Sequence, residues 1–164
     1  MTRRFLAAVM LAVCSPALAQ DWSTYFNMAT FGAGAGDASS GSISLECGDA
    51  QSGAHNPGQL YLLVSPATDA HLNKKLLPAN VRFSIGEETF HIPMALEPGG
   101  SSLGNVREET SEETARNFVS ALREGNELEI GLEEVSIARI GLRGSGEALE
   151  AIDSCLGPIE TDQV

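Results

Sequence analysis

Basic side chains are scarce in this chain. Its 164 residues hold 10 Lys and Arg against 22 Asp and Glu, a formal net charge of −12. Such a surface repels nucleic acid and anionic lipid, which excludes both as partners. Long apolar runs are scarce too. After residue 19 none approaches the length that spans a bilayer, so no membrane insertion of the mature chain is expected. No Cys-x-x-Cys occurs, which removes the usual frame of a thiol redox catalyst. His55, His71 and His91 lack ligand spacing, so no metal site is expected. The run GAGAGDASSG at 32–41 lacks the Lys-Ser/Thr ending and the following helix of a phosphate-cradling loop, and no cofactor is expected. No internal repeat points to a solenoid.

What is present begins with an export signal. Arg3 and Arg4 precede an apolar run, Phe5 to Val13, and Ala17-Leu18-Ala19 sets small residues where a signal peptidase reads. Residues 1–19 read as a signal peptide and 20–164 as a single compact β-rich domain. The periplasm is the expected compartment, with secretion as the alternative. The signal carries two arginines and no acid, so the remainder has 8 basic and 22 acidic side chains, near −14. That charge reads first as solubility, and second as a preference for a basic partner or a cation.

Cys14 leaves with the signal, and Cys47 and Cys155 remain. An even pair in an oxidising space usually bonds. Closing so long a loop is worth roughly 4–5 kcal/mol in the chain-entropy picture. Cys47 continues the Ile43, Leu45 alternation, and Cys155 continues the Ala148, Ile152 helical stripe. Both cysteines are therefore expected on inward faces, in a structural disulfide.

Alternation marks the strands. Ile43, Leu45 and Cys47 alternate with Ser44 and Glu46, and Leu60 to Val64 is a continuous apolar run. Between Val81 and Ile92 a hairpin is expected, pairing Val81 with Ile92, Phe83 with Phe90 and Ile85 with Glu88 around Gly86-Glu87. Glycine in the first loop position suits a type II′ turn. Leu128, Ile130 and Leu132 form the next strand, then Ala138, Ile140 and Leu142. Two helices follow from apolar stripes. One, near 112–123, uses Ala115, Phe118, Val119 and Leu122, with Thr110 and Glu113 as its capping box. The other, near 146–156, uses Ala148, Leu149, Ile152 and Cys155, with Ser145 as its N-cap. The 32–41 run is expected to be a mobile loop, and 93–107 an extended loop. Glu108, Glu109, Glu112 and Glu113 suit the positive end of the first helix better than a calcium site.

One stretch matches a catalytic pattern. Gly100-Ser101-Ser102-Leu103-Gly104 fits Gly-x-Ser-x-Gly, which would make Ser102 the nucleophile of a small secreted hydrolase. That elbow needs a strand before, a helix after and a histidine late in the chain, and no histidine follows His91. No pair of glutamates marks itself as a hydrolytic couple.

Several of these motifs recur together in a known group. They are the hairpin VRFSIGEETFHIP, the helix TARNFVSALREGNELEI, and the corner Leu142, Gly144, Ala148, Leu149, Cys155, with Trp22 and Cys47 upstream. In these the chain resembles the invasion-associated locus B family of small exported bacterial proteins, and periplasmic accessory proteins of type VI secretion, over about two-thirds of its mature length. The resemblance implies a β-rich periplasmic domain without established enzymatic activity, and it carries no catalytic residues to transfer.

The expectation is a β-rich α+β fold: a mostly antiparallel sheet or small β-sandwich of six or seven strands, with two short helices. The expected function is non-catalytic, an exported envelope protein that binds another envelope protein or a small ligand.

Overall fold

The computed structural model describes residues 22–27, 30–48, 59–150, 152 and 156. The proposed signal peptide, His55 and Cys155 lie outside them.

Bulk on alternate positions builds the centre of the sheet. Strands β5 (Ala79–Ile85) and β6 (Glu88–Leu96) pair in the expected register, Val81 to Ile92, Phe83 to Phe90 and Ile85 to Glu88. Gly86 in the turn is left-handed at φ +57° and Glu87 is not, which fits a type II′ turn rather than type I′. Val81, Phe83 and Ile92 are fully enclosed. The other strands are β1 (Ser23–Asn27), β2 (Thr30–Asp37), β3 (Gly41–Gly48), β4 (Leu60–Ser65), β7 (Leu103–Asn105), β8 (Glu127–Leu132) and β9 (Val135–Gly141). They form one antiparallel sheet in the order β1-β2-β3-β4-β7-β6-β5-β8-β9. The sheet rolls on itself. The N–H of Arg139 on β9 donates to Ser40 O in the β2–β3 turn at 2.8 Å, and the N–H of Ala67 donates to Ile137 O at 2.8 Å. At the far end Trp22 Nε1 donates to Gly141 O at 3.0 Å.

Helix α1 (Glu112–Glu124) closes the core. Its buried stripe is Ala115, Phe118, Val119, Ala121 and Leu122. The ring of Phe118 meets Phe83 and Phe90 edge-on, with centroids 5.2 and 5.4 Å apart, the geometry aromatic pairs prefer. Its cap differs from the expected box. Ser111 is the N-cap, its hydroxyl accepting from Thr114 N–H at 3.1 Å. Thr110 instead ends a 3₁₀ turn over Arg107–Glu109, where its hydroxyl donates to Val106 O. Two adjacent hydroxyls could cap this helix, and the turn before it claims the first.

Helix α2 (Ser145–Ala148) starts one residue before the expected point, and Glu150, Ile152 and Leu156 are also helical. Ala148, Leu149 and Ile152 are buried as expected. Ser145 is not the N-cap. Gly144, left-handed at φ +86°, takes that position, and the buried Ser145 hydroxyl donates to Leu122 O at 2.7 Å. That carbonyl is one of the orphan acceptors in the last turn of α1, so a buried donor and a helix end satisfy each other.

The main correction lies at the glycine-rich run. Residues 32–41 are not a loop: they form most of β2, the turn Ala38–Ser40 and the start of β3. Small size is what admits them. A Cβ on Gly32 would overlap the Tyr25 ring, and one on Gly34 would stand 2.7 Å from Ile43 O. Gly41, left-handed at φ +79°, would meet Ala138 Cβ at 2.5 Å and so sets how closely β9 rolls onto β3. The 93–107 segment also carries the end of β6 and a strand, β7, and with β1 and β2 this takes the six strands marked in the sequence to nine. Asn105 ends that strand by extending its ladder with a side chain. Its Oδ1 accepts from Leu62 N–H at 2.8 Å, and its Nδ2 donates to Leu60 O at 3.2 Å. Among the described residues no helix is long and apolar enough to cross a membrane.

Candidate functional site

A concavity of about 570 Å³ lies where three elements end together. Ser84, Ile85, Gly86 and Glu88 come from the β5–β6 turn. Ala121, Glu124 and Gly125 come from the end of α1, and Asn126, Glu127 and Glu129 from the start of β8. Gly125 lets them converge, since a Cβ there would overlap Ile85 and stand 2.9 Å from Leu142 Cδ1. Pairing of Ser84 with Glu129 brings β8 alongside the hairpin.

Four carboxylates therefore line one cleft, at a helix C-terminus whose carbonyls add negative partial charge. Glu127 and Glu129 are partly neutralised. Arg139 Nη2 donates to Glu129 Oε2 at 2.8 Å, its Nε lies 3.7 Å from Glu127, and Arg82 lies 3.7 Å from Glu129. The hydrogen bond to Glu129, then the charge of Glu127, holds the Arg139 guanidinium more firmly protonated than usual. Glu88 and Glu124 make no ion pair among the described residues. The cleft concentrates carboxylate acceptors, an arrangement suited to an ammonium or guanidinium group.

A second polar feature crosses the outer face of the sheet. Tyr25 lies over Gly32 and reaches Glu46 two strands away, its hydroxyl donating at 2.7 Å. Burial, then this bond, pushes the Tyr25 phenol up to about 12. Tyr61 is pushed higher still by burial and by its bond to Glu97, over the bare surface of Gly104. The Arg107 guanidinium lies 5.2 Å from the Tyr61 ring centre, within cation–π range.

The residues singled out from sequence do not converge here. Ser102 sits between β6 and β7, with a strand after it where the elbow requires a helix, and its Oγ lies 3.0 Å from Ser65 Oγ. His91 is exposed on β6 and His71 is exposed in the β4–β5 connection. Among the described residues no group of His, Cys, Asp or Glu is placed to hold a metal ion. Cys47 is fully buried on β3 and disulfide-bonded. Of the 108–113 acids, Glu112 pairs with Arg116 one turn along α1, Glu113 lies in the first turn of α1, and Glu108 and Glu109 lie in the 3₁₀ turn before it. The cleft glutamates at 88, 124, 127 and 129 carry no motif; only strand pairing through β5 brings Glu88 to the other three. Comparison with known proteins returns no match to a family model, a curated protein or a solved structure.

Proposed function

We propose that the chain is a non-catalytic binding module of the cell envelope, exported to the periplasm, whose cleft takes a cationic group of a partner protein or a small cationic ligand. The carrying observation is the cleft itself: four carboxylates and a helix C-terminus around about 570 Å³, a volume within the range of ligand sites. The family resemblance supports the same reading, because it implies a periplasmic domain without established activity.

A lysine-rich peptide titrated by calorimetry tests it. Binding should weaken steeply with salt, because the attraction is screened, and the Glu88→Gln/Glu124→Gln double variant should lose most of it. Absence of binding at low salt, or binding indifferent to that double variant, ends this reading.

Export carries a second proposal, that Cys47 is bonded to Cys155. The bonded state of Cys47 supports it. Thiol titration of the unfolded protein without reductant should find no free thiol at either position, and two free thiols would refute it.

A further inference from the structure

The two margins of the sheet are treated differently. At β9 two outward backbone groups are occupied, Arg139 N–H by Ser40 O and Ile137 O by Ala67 N–H, and Arg139 with Glu127 and Glu129 places charge along the strand. At β1 no hydrogen bond from a described residue reaches the outer backbone of Ser23–Asn27. The strand is uncharged, and so is the whole run from Trp22 to Gly36. Phe26 is 64% exposed and Phe31 43%, with rings 4.9 Å apart at the margin of the core face. Folded proteins normally guard such an edge with charge, proline or a covering segment, and β1 has neither charge nor proline.

We propose that β1 pairs antiparallel with β1 of a second copy, forming a two-fold dimer with one continuous sheet. Charge selects this occupant. Copies of a chain at −12 repel one another, and β1 is the margin where two can meet without opposing like charges. Antiparallel pairing about Tyr25 would place Phe26 opposite Thr24 of the second copy, both exposed and uncharged. An isologous contact uses the same patch twice, and the covered β9 margin offers no further strand to extend from, so assembly stops at two. Five residues a side is a small contact, below the roughly 1,200–2,000 Å² of stable interfaces, so the dimer dissociates on dilution.

Sedimentation equilibrium on the purified protein, from about 1 μM to 1 mM, reads this directly. The expected result is a monomer–dimer equilibrium whose dissociation constant rises about tenfold or more in Phe26→Lys and in Thr24→Lys. Both sites are exposed, so the variants should keep their circular-dichroism spectrum. Independently, amide exchange of residues 23–27 in the unsubstituted protein should slow as concentration rises. A monomer throughout, a dimer indifferent to both lysines, concentration-independent exchange at β1, or pairing of β1 only with a different protein would each overturn the proposal.

Discussion

Along β5 and β6 the paired residues are bulky: Val81 faces Ile92, Phe83 faces Phe90, and Phe118 of α1 packs on both phenylalanines. Along β1 and β2 the one bulky pair, Phe26 with Phe31, is exposed, and beyond it large or polar side chains stand against small ones. Tyr25 faces Gly32, Thr24 faces Ala33 and Ser23 faces Gly34. The first hairpin is held by apolar area taken from water, and the second by backbones that approach closely because little stands between them. One fold thus contains two ways of specifying a strand pair, and substitutions should tell them apart.

The largest contrast lies between two phenylalanines. Phe83→Ala empties a fully enclosed site and should cost about 3–5 kcal/mol in urea denaturation. Phe26→Ala removes an exposed ring and should stay within about 0.5 kcal/mol. Similar losses would break the comparison. Next come two left-handed glycines. At Gly86, φ +57°, an added Cβ meets open space, so Gly86→Ala should cost about 1–2 kcal/mol of backbone strain alone. Gly41→Ala adds overlap with Ala138 and with Ser65 O, and should cost roughly 2–5 kcal/mol on the same measurement. An equal cost at the two sites would mean that β9 does not depend on the bare surface of β3.

The smallest effect sharpens the picture most. Gly32→Ala should lift the Tyr25 ring off the sheet and break its bond to Glu46, returning the phenol from about 12 towards its ordinary 10.0. Because the folded value is raised, the fold favours the neutral phenol. That contribution is complete below pH 10 and is lost as pH rises through about 12. Alkaline destabilisation across this window should be shallower in the variant. Ultraviolet titration of the phenols decides it: Tyr25 still ionising near 12 in Gly32→Ala would show that glycine does not place the ring.

The same contrast explains what could be read in advance. Val81, Phe83, Phe90 and Ile92 announce both their strand and its register, because burial and pleat share a period of two. Gly-Ala-Gly-Ala-Gly has that period as well, but without apolar bulk it reads as a linker. Its meaning depends on Tyr25 and Ala138, which only the folded sheet brings near. The acidic cleft was hidden for a related reason. Glu124, Glu127 and Glu129 are close in sequence, but Glu88 joins them through strand pairing alone. Thr110 had the capping-box spacing to Glu113, but the 3₁₀ turn over Arg107–Glu109 engages it and leaves the cap to Ser111.

Asn105 carries a consequence for ancestry. Its carboxamide serves the β4 backbone as donor and acceptor at once, at the point where the chain leaves the sheet for α1. Aspartate would keep the acceptor and lose the donor, and serine would be too short to reach both groups. Core positions such as Leu62 or Ile92 can drift among aliphatic residues while the fold persists. A descendant of the same ancestor could therefore lose nearly every recognisable residue and still keep this asparagine, one strand before a helix, as the mark of common origin.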